Sequence, residues 1–349
     1  MKKIIKKYGG MIPLHTDNLL KKKVSYKNSL FFSHGRSAMI WLVNNYSFDC
    51  ALMCSYTWPA IPKLMKDLKL KIYFFDMYQK GVEKILKKLT GNILLIVPVF
   101  YGFKPWINYL KISEKYKNVF VLLDGAQTAF GHKDYKVPIN GAVLSCPHKS
   151  TSINDGAILK LHKINKDLYN NYKKIKPDYR FSKIKKKTRI LLNSMNQKKE
   201  LLGIKYSKKL EESWKSAPPK KITQASFSEF SRINYYLHKK KRLQNFYCLK
   251  SIIGNKFKTI PNLTPGTPFA YPSLINNRNK VIKKLHSKRI YATPLWPKSF
   301  FINKKFKHAL KFKKKFIAFP IDQRYSINDI KNMGMKILSI FNSKNSLIK

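Results

Sequence analysis

Acids are scarce in this chain, 17 Asp and Glu against 71 Lys and Arg, so an acid that closes an apolar run stands out. Val119-Phe120-Val121-Leu122-Leu123 leads straight into Asp124. A carboxylate at the end of a buried strand costs free energy unless it has a partner. It serves either as a turn or cap residue or as the group that holds a proton on a ligand. Gln127 follows on the turn that such a strand end exposes. Lys149 cannot be singled out by type, because lysine is everywhere in the chain, but its context is distinctive. It lies in Leu144-Ser145-Cys146-Pro147-His148-Lys149-Ser150-Thr151, between apolar Gly141–Leu144 and the turn and strand of Asp155-Gly156-Ala157-Ile158-Leu159. A desolvated lysine has a lowered pKa and forms Schiff bases; a lysine on a surface hairpin does neither. Ser33-His34-Gly35-Arg36-Ser37-Ala38 enters an apolar helical stretch, Met39–Val43. Such an entry either caps a helix or binds an anion on its exposed N–H groups. Trp58, in Ser55-Tyr56-Thr57-Trp58-Pro59, belongs either to the core or to a ring-stacking site. His34, His132 and His148 lack metal-ligand spacing, and Cys50 and Cys54 have no second pair, so no metal is expected.

The elements that must position these groups alternate. Asp49–Ser55, Leu70–Phe75, Asn92–Val99 and Val119–Leu123 have the composition of strands. Pro59–Leu68, Tyr78–Leu89 and Pro105–Tyr116 have helical spacing. This rhythm predicts an α/β fold with a mostly parallel central sheet flanked by helices. Ligands in such sheets sit beyond the carboxyl ends of the strands. That rule places Ser55–Trp58, Phe100–Gly102 and Asp124–Gln127 close together. Lys163–Lys221 is very Lys-rich and is expected to form helices and surface connection. Phe227–Ile252 and Arg278–Lys288 are expected helices, Ile290–Pro297 a short strand and turn, and Asn328–Asn342 a closing helix capped by Ser326. The expected division is a large domain over 1–245 and a smaller α+β domain over 246–349.

The formal charge is +54, yet only eight of the basic residues are Arg, and the lysines are spread along the chain. Sequence-specific nucleic-acid readers favour Arg and gather their charge into one arm or face. A biased composition explains the charge better, and nucleic acid is not the expected partner. The field still attracts anionic ligands. At 44 % hydrophobic and 13 % aromatic the chain has ample core. Its longest apolar run, Asn92–Phe103, is too short to span a bilayer. Met1–Tyr8 is basic but lacks a following apolar region, so no signal peptide is expected. Four cysteines without a disulfide pattern fit a reducing cytoplasm.

Anion turn, aromatic, strand-end acid and lysine occur in one order along the chain. A pyridoxal phosphate site needs these four groups for its phosphate, ring face, pyridine nitrogen and aldehyde. At this point the chain resembles the DegT/DnrJ/StrS family of sugar aminotransferases, from Gly35 to about Ile330. Ser55-Tyr56-Thr57-Trp58 is similar to the segment with the ring-stacking aromatic, and Pro98-Val99-Phe100-Tyr101-Gly102 to the P-V-H-x-x-G strand end. Asp124-Gly125-Ala126-Gln127-Thr128-Ala129-Phe130-Gly131 resembles the D-x-A-Q-x-x-G signature, and Ser145 to Gly156 the serine-to-lysine-to-glycine segment. Asn277-Arg278-Asn279, Leu295-Trp296-Pro297 and Pro320–Tyr325 are looser matches.

The resemblance implies the fold-type-I architecture of pyridoxal-phosphate enzymes and a homodimer. It implies that Lys149 carries the cofactor as a Schiff base and that Asp124 pairs with the pyridine nitrogen. Gln127 would lie by the ring hydroxyl and Trp58 would stack on the ring. Gly35, Arg36, Ser37 and Ser145 would hold the phosphate. The implied reaction moves an amino group from an amino acid to an anionic, nucleotide-linked keto sugar. The sequence departs from the pattern in places: Phe100 replaces a histidine, Asp155-Gly156-Ala157 replaces E-G-G, and Ser145 lies four residues before the lysine where five is usual. No match to the inter-subunit N-Y-R-M segment is found. The alternatives are an enzyme of the same fold acting on a non-sugar substrate, or a basic nucleic-acid-binding protein on a retired enzyme scaffold.

Overall fold

The computed structural model describes residues 6–15, 17, 19–21, 24–78, 81–194, 196–212, 218–260, 264–296 and 304–342. The first part of the chain runs β1 (Ser29–Phe32), α1 (Gly35–Asn45), β2 (Cys50–Cys54), α2 (Ala60–Asp67), β3 (Lys71–Phe75), α3 (Val82–Leu86), β4 (Ile93–Pro98), α4 (Tyr109–Lys115), β5 (Val119–Gly125), α5 (Gly131–Asp134), β6 (Gly141–Ser145) and β7 (Ala157–Leu161). Helices follow: α6 (Lys166–Lys173), α7 (Tyr179–Leu192), α8 (Gln197–Glu212), α9 (Gln224–Phe230) and α10 (Tyr235–Ile253). The chain closes with β8 (Ala270–Leu274), α11 (Arg278–Ser287), α12 (Lys307–Lys315), β9 (Phe316–Pro320) and α13 (Ile327–Asn342).

Seven strands form one sheet in the order β1-β7-β6-β5-β4-β2-β3. β2 to β6 run parallel, and β7 is antiparallel to both β6 and β1. The central strands β2, β4, β5 and β6 are buried along their whole length, as expected for strands covered on both faces. Along β5 the faces alternate. Val119, Val121 and Leu123 join the core shared with β8, β9 and α13, whereas Phe120 and Leu122 pack with α1 and α2. The parallel α/β rhythm read from the sequence is therefore the observed architecture. The second sheet, β8–β9, is antiparallel. The boundary expected at 245/246 falls inside α10, which packs on α13.

Local chemistry explains most helix starts. Asn165, Asp178, Thr223 and Asn234 cap α6, α7, α9 and α10 with side-chain oxygens. Ser326 and Asp329 cap α13 reciprocally, Ser326 Oγ accepting from the Asp329 N–H at 3.1 Å and Asp329 Oδ2 from the Ser326 N–H at 2.9 Å. The Lys-rich stretch is mostly helical, and α7 and α8 form an antiparallel hairpin that packs along the sheet's carboxyl end. The strand expected at Ile290–Pro297 is reduced to single bridges, Tyr8 with Ile290 and Thr293 with Ala318; Pro297 lies outside the described residues. Among the described residues no helix is long and apolar enough to cross a membrane.

Candidate active site

The parallel register brings the chemistry together. Pro98 of β4, Asp124 of β5 and Leu144 of β6 are direct neighbours at the carboxyl ends of their strands. All three line a cleft of about 310 Å³. Of the residues picked from the sequence, Gly35, Arg36, Trp58, Asp124, Gln127 and Lys149 open onto this cleft. Ser37 and Ser145 do not.

Asp124 is buried, and its Oδ1 accepts the Ala126 N–H at 3.1 Å. Burial raises its pKa; Lys149 and the Ala126 N–H oppose that rise. Gln127 Oε1 accepts the Tyr101 N–H at 3.0 Å. Tyr101 sits at φ 52° in the short turn Phe100–Gly102 after β4, a left-handed position costly for a side-chain-bearing residue. That bond ties the β4 turn to the β5 turn. Lys149 ends a one-turn helix, Pro147–Lys149, whose N–H donates to Cys146 O at 3.1 Å. The turn lifts the lysine off the sheet, so its side chain is exposed to the cleft and not desolvated between two strands as the sequence led us to expect.

Trp58, just past β2, faces two cations. The Arg36 guanidinium carbon lies 5.0 Å from its ring centroid and Lys149 Nζ lies 5.8 Å away. Gly35 opens α1 where there is no room for a side chain, since a Cβ there would stand 2.9 Å from Cys146 Sγ. The same sulfur accepts the Gly35 N–H, and burial pushes this thiol up to about 11.

The two serines fail as cleft ligands for separate reasons. Ser37 Oγ accepts the Lys220 N–H at 2.5 Å and lies 3.2 Å from Lys220 O, to which it donates. Ser145 follows Leu144, and successive strand residues point to opposite faces. With Leu144 in the cleft, Ser145 Oγ faces the far side, where it accepts the His132 N–H at 3.0 Å.

The structure adds residues the sequence did not reveal. His34 caps α1, its Nδ1 accepting the Ser37 N–H at 3.2 Å. Burial, with Arg36 and Lys149 nearby, pushes it down to about 3. His148 donates from Nδ1 to Gly156 O at 2.7 Å. Burial, Lys185 and Lys149 hold it well below the usual imidazole range. Both rings are neutral at physiological pH. The α7–α8 hairpin forms a further wall with Lys185, Ser207 and Leu210. It is pinned to the lysine segment: Phe181 packs on His34 at 5.2 Å and on His148 at 5.8 Å. Arg189 Nη2 donates to His148 O at 3.2 Å and to Thr151 O at 3.1 Å. Nothing in the sequence singles out Arg189 for this role. Phe100, Phe269 and Trp296 make the opposite end of the cleft aromatic. Asp155, where E-G-G was expected, accepts the Thr223 N–H and hydroxyl, both at 2.7 Å, and the Ser226 hydroxyl. It also bonds Ser182 of α7.

No family model matches this sequence, and no curated protein matches it. Solved structures do match over almost the whole chain. A DegT DnrJ EryC1 StrS aminotransferase from Brucella abortus superposes with a TM-score of 0.59 at 12% identity, over 90% of this chain and 86% of that one. The fold is that of the type I aminotransferases. Helicobacter pylori PseC, an aminotransferase of pseudoaminic acid biosynthesis, gives 0.61 at 14% identity, over 96% of this chain and 99% of that one. A GDP-4-keto-6-deoxymannose-3-dehydratase, ColD, gives 0.62 at 13% identity, with 88% of both chains covered. One fold thus carries both amino transfer and dehydration, and the reaction has to be argued from the cleft.

Proposed function

We propose that this protein is a pyridoxal-phosphate-dependent aminotransferase whose acceptor is an anionic keto sugar. The observation that carries the reading is the convergence of Lys149, Asp124 and Trp58 on one cleft from three different strand ends. The donor set fits the cofactor: an amine for the aldehyde, a buried carboxylate for the pyridine nitrogen, an indole for the ring and cations for the phosphate. When bound, pyridoxal phosphate supplies an electron sink next to the carbon that carries the amino group. Asp124 holds a proton on the pyridine nitrogen. Its carboxylate is the one acid among the described lining residues; burial raises its pKa, and the neighbouring Lys149 opposes that rise. Lys149, exposed to the cleft, is free to move a proton at the amino-bearing carbon. Trp58 would stack on the ring, and Gln127, oriented by its bond from the Tyr101 N–H, would serve the ring hydroxyl. His34 and His148 stay neutral and leave proton transfer to the lysine.

The relatives in amino-sugar biosynthesis, and a cationic cleft in a basic protein, support a nucleotide-linked acceptor for surface polysaccharide or a related product. The aromatic end, Phe100, Phe269 and Trp296, favours an acceptor with a largely deoxygenated face, or a non-sugar ring, over a fully hydroxylated sugar. A homodimer is part of the reading. It is supported by exposed apolar side chains on the hairpin, Tyr179, Ile190, Leu201 and Ile204. Free cysteines support a cytoplasmic setting.

The test is the visible spectrum of the protein with added pyridoxal phosphate, before and after borohydride reduction. Wild type should give a yellow band that reduction fixes on the peptide containing Lys149, and Lys149→Ala should give none. A folded wild type without the band would overturn the proposal.

A further inference from the structure

We propose that Arg242 of α10 is a positioning residue of this site: it sets where Lys149 stands against the aromatic end of the cleft by holding the backbone of both. The inference rests on the cofactor reading above. Arg242 is not among the described residues that line the cleft, so it acts through the segments it holds.

The lysine turn meets its own N–H groups locally. Lys149 N–H donates to Cys146 O at 3.1 Å, and the Ser150 and Thr151 N–H groups donate to Pro147 O, both at 2.9 Å. Its carbonyls are met by side chains from distant parts of the chain. Arg189 of α7 holds His148 O and Thr151 O. Ser150 O, next to the lysine, accepts two bonds, from Arg242 Nη2 at 3.2 Å and from Gln323 Nε2 at 3.1 Å. The two donors also bond each other, Arg242 Nε to Gln323 Oε1 at 3.0 Å. Gln323 Nε2 is anchored in turn on Asp17 Oδ1 at 2.8 Å, and Asp17 Oδ2 accepts the Ser152 N–H at 2.6 Å.

Arg242 Nη1 points the other way and donates to Pro268 O at 3.1 Å and to Phe269 O at 3.0 Å. Phe269 is one of the rings at the aromatic end of the cleft, and its N–H donates to Tyr101 O at 2.8 Å. The Tyr101 N–H holds Gln127. One line of hydrogen bonds therefore runs from Gln127 through Tyr101, Phe269 and Arg242 to Ser150, and it passes through a single guanidinium. Its fixed fork of donors reaches three carbonyls and an amide oxygen together, which the point charge of an ammonium does not. Arg242 is 1 % exposed, and burial lowers it to about 10, against Asp322 and Asp17, so it stays charged at physiological pH. Among the described residues its hydrogen bonds go to neutral oxygens, not to a carboxylate. A buried ionic group is weak support for stability; what this one adds is a fixed distance between the lysine and the wall that faces it.

The experiment follows formation of the lysine adduct, in which Lys149 Nζ condenses with the aldehyde and water leaves. Stopped-flow absorbance of the full-length protein at rising pyridoxal phosphate separates a half-saturation concentration from a limiting rate. In Arg242→Lys the limiting rate should fall about ten- to a hundredfold, the range for moving a reacting group by about 1 Å, with half-saturation kept within about twofold. Gln323→Met leaves Arg242 in place and should lower the limiting rate by about three- to tenfold. Because both residues act on Ser150 O, the double variant should be within about twofold of Arg242→Lys. Arg278 is the comparison: it is also buried and holds carbonyls, Lys313 O at 2.6 Å and Phe316 O at 3.5 Å, but none of the lysine turn. Arg278→Lys should lower the urea midpoint and leave the limiting rate within about twofold of wild type. An unchanged limiting rate in Arg242→Lys, a loss matched by Arg278→Lys, or a change confined to half-saturation would overturn the positioning role. If Arg242→Lys does not fold, Gln323→Met decides by the same criteria. A wild type that forms no adduct would overturn the cofactor reading and this inference with it. A wild type that forms the adduct, with variants that match its limiting rate, would overturn this inference alone.

Discussion

Two walls of the cleft are built by different physics. The strand-end wall, from β4, β5 and β6, is held by a parallel ladder whose register places Pro98, Asp124 and Leu144 side by side. Nothing in that wall can shift by one residue without turning a whole strand inside out. The hairpin wall, α7 and α8, belongs to no sheet. It is fastened by a few polar and aromatic contacts: Asp178 at its start, Phe181 on two histidines, Arg189 on the lysine segment, and Ser182 on Asp155. The rigid wall carries the groups that must meet reacting atoms within fractions of an ångström. The attached wall carries Lys185, Ser207 and Leu210.

The largest expected effect tests the rigid wall. Asp124→Asn keeps the shape and the bond from Ala126 but removes the charge. Transamination turnover should fall by about 10² to 10³, the range for losing one preorganised electrostatic partner. The reducible lysine adduct should still form, because Lys149 is untouched. Single-turnover kinetics beside the spectrum checks both. Wild-type turnover in the variant would mean that the strand-end acid only serves the turn.

The joint between the walls comes next. Asp155 starts the strand side and receives Thr223, Ser226 and Ser182 from the helical side. Asp155→Ala strands these donors in the interior, and each unmet buried donor costs about 1–3 kcal/mol. Stability should drop by about 3 kcal/mol, read from urea midpoints. Protease cleavage should rise first within the α7–α8 hairpin. Cleavage spread evenly over the chain would show that the two walls come apart only together.

The difference between the walls also decides what could be read from the sequence. Asp124, Lys149 and Trp58 were legible because apolar strands frame them, and periodicity survives even in a strongly biased composition. β1 and β9 were not, being runs of four and five residues whose strand state is set by their partners. Lys185 was hidden among lysines, since a helix face reveals itself only when its polar and apolar residues differ, and six of the 14 positions of α7 are basic. Ser145 sat one residue nearer the lysine than the family pattern has it, and the alternation of β6 turns it to the other face. The +54 charge gave no help with the fold and concealed the one lysine of the hairpin that faces inward.

His34 sits where the walls meet, between α1 and Phe181, and offers the finest probe of that seam. Its pKa is about 3 in the folded protein, lowered by burial and by Arg36 and Lys149, against about 6.5 in the unfolded chain. Between these values the unfolded chain binds the proton and the folded chain does not. Stability therefore rises with pH across that window and is lost as pH falls from about 6.5 toward 3. The slope is up to about 1.4 kcal/mol per pH unit for this one ring. His132, also near 3 but at the far face beside Ser145, adds a similar share. His34→Asn keeps an acceptor for the Ser37 N–H and removes the titration. Urea midpoints at pH 7, 6 and 5 should then show a slope shallower by one histidine's share, while His132 still contributes its own. An unchanged slope would mean that water reaches His34 through the seam, and that the hairpin covers the start of α1 more loosely than its contacts show.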